Sequence, residues 1–283
     1  GSEMCIRDSL RRIVTTALER NQKKYQLQQK QLKDSEKREK YKLYGELINV
    51  YGYNLEEGAK ELLAPNFYDN NKEIRIPLDP TLSPQENSQK FFDRYGKLKR
   101  TAEALDKLLQ ETKAEIDHLE SIQNSLDIAL SADDLVQIKQ ELTEYGFIKK
   151  NRSGKKEKIK SKPFHYLSSD GYDIYVGKNN YQNDELTFKF ATGNDWWFHA
   201  KGMPGSHVIV KSKGEEMPDR VFEEAGMLAG FYSKGRDSDK IEIDYLQKKN
   251  VKKPAGSAPG FVVYYTNYSL TIHPDISHLK LIE

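Results

Sequence analysis

The segment of residues 194–210 reads Asn194-Asp195-Trp196-Trp197-Phe198-His199-Ala200-Lys201-Gly202-Met203-Pro204-Gly205-Ser206-His207-Val208-Ile209-Val210 and holds both tryptophans of the chain. Two apolar runs flank a connection with two glycines and a proline, and this pattern predicts a β-hairpin. Side chains alternate along a strand, so one face should carry Trp196, Phe198 and Ala200, and the other face Trp197, His199 and Lys201. We expect the first face to lie in the core.

The second face of this hairpin combines an aromatic surface, a hydrogen-bonding ring and a cation. Such a set of groups can stack on an unpaired base and contact its phosphate, which favours RNA binding. The alternative interpretation is that Trp197 packs beneath a loop and His199 is a structural residue, because buried aromatic rings usually serve packing. Both interpretations stay open at the level of sequence.

The region around the hairpin, residues 163–283, is rich in glycine, tyrosine and β-branched residues. An apolar face with helical spacing predicts one principal helix from Asp219 to Gly235, and a shorter helix or a strand near Asn183–Ala191. Alternating apolar runs predict strands at residues 164–167, 172–176, 196–200, 206–210, 240–245, 261–265 and 269–273. We therefore expect a compact, mixed, mainly β domain.

The region before this domain carries a heptad pattern. Apolar residues from Phe91 onward alternate in spacing between four and three, and an earlier segment from Leu10 to about Tyr51 is also helical in pattern. Four prolines and a strand-like piece, residues 74–78, separate the two segments and cannot continue a helix. An antiparallel helical coiled-coil hairpin is the expected result, followed by a third helix capped by Ser131. Its seam comprises Phe91, Tyr95, Leu98, Ala102, Leu105, Leu109, Thr112, Ile116 and Leu119.

The expected fold class is therefore α+β, with four segments along the chain. Residues 1–9 open with Gly-Ser, which is typical of a cloning scar, and are treated as a non-native start. Residues 10–148 form the coiled-coil middle domain, and residues 163–283 the β domain. Between them, residues 149–162 hold eight Lys or Arg and one Glu, and predict a basic linker.

Composition excludes several classes of protein. The 283 residues include 45 Lys and Arg against 43 Asp and Glu, with 37% hydrophobic residues and a mean hydropathy of −0.80. This is too polar for one compact globule, so part of the chain should be elongated. No apolar run approaches the roughly 18 residues that a membrane helix needs, which excludes membrane insertion. A single cysteine, Cys5, excludes a disulfide framework and favours the cytoplasm.

A second basic cluster contains Lys248, Lys249, Lys252 and Lys253 on a connection that ends at Pro259-Gly260. Four lysines in six positions repel one another unless anions neutralise them, and phosphate is the obvious anion. A solvated loop is the alternative interpretation. Together with the linker and the aromatic hairpin, the cluster favours local affinity for nucleic acid.

Catalytic and metal-binding patterns are absent from the sequence. Ser206 and His207 are adjacent, so on a strand they would point to opposite faces, and no G-x-S-x-G motif surrounds the serine. The histidines at 165, 199, 207 and 273 lack the spacing of a zinc site. We predict no catalysis, no metal and no cofactor.

The chain resembles the NFACT family, which includes RqcH, the bacterial fibronectin-binding proteins of the FbpA and PavA type, and eukaryotic NEMF. In the β domain the matching text is YDIYVGKNN from Tyr172, ND from Asn183, LT from Leu186, DWWFH from Asp195, PGSH from Pro204, KKP from Lys252 and PGFV from Pro259. This text resembles the family's NFACT-R domain, over about residues 163–280. LDP from Leu78, SP from Ser83, Asn87 and FFDRY from Phe91 resemble its coiled-coil domain. The resemblance implies the C-terminal half of a longer protein from a Gram-positive bacterium.

The resemblance also implies a role in ribosome quality control. The whole protein would bind a large ribosomal subunit obstructed by peptidyl-tRNA, contact rRNA and recruit tRNA, so that alanine is added to the stalled chain. This half would supply docking rather than chemistry. The RNA-contact candidates are Asp195, Trp197, His199, Lys201, Ser206, His207, Lys248, Lys249, Lys252 and Lys253.

Two other functions remain open. One is a fibronectin- or fibrinogen-binding adhesin with an anchorless fraction at the cell surface, since family members carry such names. The other is a purely structural coiled-coil scaffold. Salt-dependent RNA binding separates ribosome docking from a scaffold, and accessibility on intact cells tests the adhesin.

Overall fold

A computed structural model describes residues 2–152 and 154–283 of the chain. The predicted start and the predicted linker each include one residue outside these ranges, Gly1 and Ser153. Two compact units make up the chain: Asn21–Ala114 forms one, and residues up to Arg20 together with Glu115–Glu283 form the other. The unit boundaries differ from the expected domain boundaries because they fall within long helices.

The first part of the chain is mainly helical, as expected. Arg7 donates hydrogen bonds from its guanidinium to the backbone oxygens of Leu126 and Ala129, both at 2.6 Å. The predicted non-native start therefore continues into a packed helix. The helices are α1 (Glu3–Asp34), α2 (Arg38–Tyr51), α3 (Pro84–Ile128) and α4 (Ala132–Glu144), with a 3₁₀ turn at Ser35–Lys37.

The long helices pair antiparallel within each unit. In Asn21–Ala114, the Thr112 hydroxyl donates to Gln28 Oε1 at 2.9 Å. In the other unit, Arg11 forms an ion pair with Asp127 at 2.7 Å. Residue numbers rise along one helix as they fall along its partner, so the predicted antiparallel pairing is confirmed. The buried seam residues are Phe91, Ala102, Leu105, Thr112, Ile116 and Leu119.

A β-hairpin completes the unit Asn21–Ala114. Strands β1 (Glu61–Asn66) and β2 (Lys72–Pro77) pair antiparallel. Only the second of these strands was expected from sequence. The hairpin buries apolar side chains against α2 and α3, in a cluster that includes Leu47, Ile48, Leu62, Ala64, Ile76 and Phe91.

The other unit contains a seven-stranded antiparallel sheet. Helix α6 (Asp219–Phe231) covers one face, and its side chains pack with Phe198, Val208 and Val210. The opposite face is covered in part by a segment that begins with helix α5 (Asn180–Glu185) and a π-helical turn, Leu186–Phe190. The strands are β3 (Phe164–Leu167), β4 (Asp173–Val176), β5 (Trp196–Ala200), β6 (Val208–Val210), β7 (Ile241–Gln247), β8 (Tyr268–Ile272) and β9 (Lys280–Leu281). Their order across the sheet is β8-β7-β5-β6-β4-β3-β9.

The strand predicted at residues 261–265 is wrong. Only Val263 makes a bridge, to Lys252, and the segment otherwise lies across the sheet. The Tyr264 ring packs 5.2 Å from the Trp197 ring, and its hydroxyl donates to Asp244 Oδ2 at 2.6 Å. The alternating aromatic and apolar residues of this segment reflect packing on the sheet rather than strand pairing.

A buried polar network joins α3 and α4 to the sheet domain. We call it the Glu141 network, and it consists of His118, Ser121, Glu141 and Asn180. The fully buried Glu141 has Oε2 2.7 Å from His118 Nε2 and accepts from Asn180 Nδ2 at 2.8 Å. Asn180 Nδ2 also donates to Ser121 Oγ at 2.8 Å. A buried carboxylate is costly unless it is hydrogen-bonded, so these contacts tie the GKNN motif (residues 177–180) to the helices.

Among the helices of residues 2–152 and 154–283, none combines the length and the apolar character that a membrane crossing requires.

Glu141→Ala should lower the free energy of unfolding by about 2 to 4 kcal/mol, because it leaves one of the two Asn180 amide hydrogens and the His118 ring without their hydrogen-bond partner. Urea unfolding followed by circular dichroism measures the change. Glu115→Ala, at an exposed position of α3, is the matched control and should have an effect within about 0.5 kcal/mol. Equal urea midpoints for the two variants would contradict a stabilising role for the network.

Candidate nucleic-acid interface

The Trp197 ring lies in the core and has no exposed surface. It packs with Leu186, Ile209 and Leu246. Its neighbour Phe198 is also fully buried on the opposite face, so β5 is covered on both sides. In this fold Trp197 offers no ring face to a base, and it acts as the packing residue of the alternative interpretation.

The two candidate histidines lie beside Trp197. His199 is half-buried and stacks on Trp197 with ring centroids 5.6 Å apart. His207 is buried, with Nδ1 2.7 Å from Thr187 Oγ1 and Nε2 3.0 Å from the backbone oxygen of Gly260. Because a carbonyl oxygen can only accept, Nε2 carries the proton and Nδ1 accepts from the Thr187 hydroxyl.

Burial lowers the pKa of both histidines. Desolvation, with a contribution from His199, lowers the pKa of His207 to about 3, and desolvation also lowers the pKa of His199 below its ordinary value. His207 is therefore neutral near pH 7. It serves as a hydrogen-bonded structural group and supplies no positive charge to a phosphate.

Asp195 organises the segments around the start of β5. Its buried carboxylate accepts from the backbone N–H groups of Thr192, at 2.7 Å, and Ser212, at 2.8 Å, and from the Lys211 ammonium. Its backbone oxygen accepts from the N–H of Lys248 at 2.8 Å. Burial acts to raise the pKa of Asp195, but the Lys211 and backbone donors hold it below its usual value. The carboxylate positions Lys211 and does not itself face a ligand.

The four lysines of the second cluster have different environments. Lys249 and Lys252 are exposed, and the half-buried Lys248 has Nζ 5.8 Å from the Phe188 ring. Lys253 donates to the backbone oxygens of Ala258 and Phe261 and lies 3.3 Å from Asp184 Oδ1. Lys253 therefore stabilises its own loop, and Lys252 Nζ donates to the backbone oxygen of Lys249 at 3.1 Å. Lys249 is exposed and Lys248 is partly exposed.

The remaining candidates lie elsewhere. Lys201 directly follows the last residue of β5, and the five residues of that strand place it about 16 Å from the Trp196 end. Its Nζ lies 3.7 Å from Glu242 Oε2. Ser206 is buried, and its hydroxyl has no hydrogen-bond partner among the described residues. The ten candidates do not form one continuous surface.

A different set of side chains does lie close together at the surface: Phe190 and Lys249 are exposed, and the other members are half-buried. The rings of His165 and Tyr175 stack with centroids 4.4 Å apart, and Phe190 meets Tyr175 edge-on at 4.7 Å. Phe190 is 41% exposed, and the Lys211 ammonium lies 4.7 Å from its ring centroid. We call this surface the Phe190 stripe, defined by His165, Tyr175, Phe190, Lys211, Lys248 and Lys249.

The fold brings the lysines of the stripe beside its rings. The backbone N–H of Lys249 donates to Gly193 O at 3.2 Å, in the turn that follows Phe190. At the other end of the stripe, His165 comes three residues after Lys162, the last of the exposed basic residues of the linker. A ring exposed between cations suits a stacked base whose phosphates lie on the lysines.

Sequence reasoning missed His165, Tyr175, Phe190 and Lys211. The available signal was Phe188-Lys189-Phe190, in which aromatic residues alternate with a cation. The strong helical and strand patterns nearby made these rings look like core residues. Phe188 is half-buried against Trp197 and its neighbours, whereas Phe190 reaches the surface.

The depressed pKa of His207 predicts acid sensitivity. A histidine in the unfolded chain titrates near 6.5, whereas folded His207 stays neutral to about 3, so stability is present above pH 6.5 and is lost as pH falls below it. Between pH 7 and pH 5 this one group should cost about 2 kcal/mol of unfolding free energy.

Urea unfolding at both pH values measures this loss. His207→Gln should have a lower free energy of unfolding than the parent at pH 7. Between pH 7 and pH 5, however, its free energy of unfolding should fall by about 2 kcal/mol less than that of the parent. The same pH dependence in parent and variant would show that other groups are responsible.

Two family descriptions match consecutive parts of the chain. Residues 5–161 match the NFACT N-terminal and middle domains, and residues 162–265 match the NFACT protein RNA binding domain. All six residues of the Phe190 stripe lie within the second match.

Known proteins resemble most of the chain. RqcH of Streptococcus pneumoniae is 39% identical over 265 residues, which cover 93% of this chain and 47% of that protein. RqcH of Bacillus subtilis is 35% identical over 270 residues, covering 94% of this chain and 47% of that protein. The chain thus spans about half the length of these relatives.

A solved structure has a similar fold. The C-terminal part of the fibronectin/fibrinogen-binding protein from Streptococcus suis gives a TM-score of 0.74 at 34% identity, covering 95% of this chain and 94% of that one. The fold, the two matched domains and these relatives agree, and the chain belongs to the NFACT family.

Proposed function

We propose that this chain is the RNA- and ribosome-docking half of a ribosome quality control factor that works in the cytoplasm. The whole protein would bind a large subunit obstructed by peptidyl-tRNA, contact rRNA and recruit tRNA for alanine tailing. The mouse relative is named a ribosome quality control complex subunit, NEMF, and is 26% identical over 157 residues. The observation that carries the proposal is the Phe190 stripe, a partly exposed aromatic and basic surface in the region that matches an RNA-binding domain. One carboxylate adjoins it, since Asp173 Oδ1 lies 2.7 Å from His165 Nε2.

The stripe suits single-stranded RNA. His165 and Tyr175 stack across the neighbouring strands β3 and β4, and Phe190, on the π-helical turn, contacts Tyr175. Bases could stack on these rings only where they are unpaired. Lys248, Lys249 and the exposed linker lysines would contact the phosphates between these bases. Lys211 contributes less charge, since it is already paired with Asp195.

The role that we propose for this half is docking rather than catalysis. Both ring nitrogens of His207 are engaged, by Thr187 and Gly260, so His207 is not free to act as a base for its neighbour Ser206. The Ser206 hydroxyl is buried away from solvent. Alanine addition would be performed by the ribosome itself.

Phe190→Ala should weaken binding to a single-stranded RNA decamer by about 1 to 3 kcal/mol, because it removes a stacking surface. The slope of log K against log salt should stay unchanged, since stacking releases no counterions. Fluorescence anisotropy at several salt concentrations measures both quantities. Phe67→Ala is the matched control, because Phe67 is exposed to a similar extent, 43%, and lies in the turn between β1 and β2, outside the stripe.

Changing Lys248 and Lys249 together to Ala should instead flatten the salt dependence, by about 0.7 for each phosphate that the variant no longer neutralises. The exposed pair Lys234 and Lys240 provides a control with the same change in charge. The same charge variant should also reduce co-sedimentation of the 283-residue chain with large subunits that carry peptidyl-tRNA. Parental affinity and parental slope in both stripe variants would contradict the proposed surface.

One observation favours a second candidate function. The similar structure from Streptococcus suis is named a fibronectin/fibrinogen-binding protein. If the chain bound immobilised fibronectin saturably while showing no affinity for RNA or large subunits, the adhesin function would replace the first proposal. An anchorless surface fraction would then be expected on intact cells.

A further inference from the structure

An aromatic cleft of about 390 Å³ lies beside the start of α6, on the face of the sheet that α6 covers. Four partly exposed rings form it. The Trp196 ring meets the Phe222 ring edge-on, with centroids 4.9 Å apart, and lies tilted against the Tyr268 ring at 6.2 Å. The Tyr245 and Tyr268 rings stack with centroids 5.4 Å apart. Tyr268 is 62% exposed, so the cleft presents ring faces to solvent.

Two carboxylates lie at the rim of this cleft. Asp219 and Glu223 are both exposed lining residues, one turn apart on α6. Neither forms an ion pair with any residue of the described chain. The nearby Arg220 is engaged elsewhere, since its guanidinium makes two hydrogen bonds to Asp170. The cleft therefore has negative charge that no cation of the described chain neutralises.

A second cleft, of about 440 Å³, shares Trp196 and Tyr268 with the first. Its lining includes the side-chain amides of Gln247 and Asn250. Amide groups can both donate to and accept from a peptide backbone. The two clefts together combine aromatic faces, carboxylates and amides in adjoining sites.

We propose that these adjoining clefts bind an extended, arginine-bearing segment of a partner protein. The guanidinium lies over the rings of Trp196 and Tyr268 and pairs with Asp219 and Glu223, and the backbone of the segment contacts Gln247 and Asn250. Arginine fits better than lysine because its planar group stacks on rings while its edge bonds carboxylates. RNA is disfavoured, because the two carboxylates repel phosphates. This inference does not depend on the Phe190 stripe.

The tryptophans provide a site-specific readout. Trp196 lines both clefts, whereas Trp197 is fully buried on the other face of the sheet. Titration of the ¹⁵N-labelled chain with the peptide Ac-Gly-Ser-Arg-Ser-Gly-NH₂ should shift the Trp196 indole N–H signal saturably and leave the Trp197 signal in place. The same peptide with citrulline in place of arginine keeps the shape but lacks the charge, and should bind about tenfold more weakly.

Variants test the carboxylates directly. Asp219→Asn combined with Glu223→Gln should weaken binding of the arginine peptide about tenfold, toward the level of the citrulline peptide. Asp237→Asn combined with Asp239→Asn changes the net charge equally at exposed positions outside the cleft, and should bind like the parent. All four positions are exposed, and circular dichroism checks that both variants remain folded.

Four results would overturn the proposal. The first is equal affinity for the arginine and citrulline peptides, and the second is parental affinity in the Asp219/Glu223 variant. The third is an oligouridine that shifts the Trp196 indole signal and displaces the peptide, which would assign the cleft to RNA. A Trp196 signal that does not respond to the arginine peptide would likewise count against it.

Discussion

The sheet domain depends on the burial of β5 from both sides. Trp197 and Phe198 are adjacent, both are fully inaccessible, and each faces a different layer. Helix α6 supplies one layer, and the α5 region with residues 251–264 supplies the other. Because both faces of β5 are covered, Trp197 and Phe198 are not available to a ligand.

Buried polar groups fix those covering segments in place. Asp195 accepts hydrogen bonds from Thr192, Lys211 and Ser212, so one carboxylate holds the turn before β5 against the segment after β6. Glu141 does the same for the GKNN motif through Asn180. Both carboxylates are costly to bury and depend on these contacts. Asp195 has donors on both oxygens, whereas the contacts of Glu141 all fall on Oε2, and its buried Oε1 has no hydrogen-bond partner among the described residues.

Two surfaces of opposite charge lie near the same end of β5. Trp196 pairs with Gln247 at the end of β7, and Lys248 follows directly. On one side lie the lysines and rings of the Phe190 stripe, and on the α6 side lie Asp219 and Glu223 with their aromatic cleft. Under the two proposals, RNA would contact the first surface and an arginine-bearing protein segment the second.

The sequence by itself determined the α+β class, the antiparallel helices, most strands and the family, because heptad spacing, prolines and strand alternation are local properties of the chain. It also showed that Trp196 and Trp197 point to opposite faces. Only the tertiary structure decided that both faces are covered, since the cover over Trp197 comes from Tyr264, far along the chain. For the same reason the exposed Phe190, rather than Trp197, became the candidate stacking residue: exposure depends on which distant segment packs on a face.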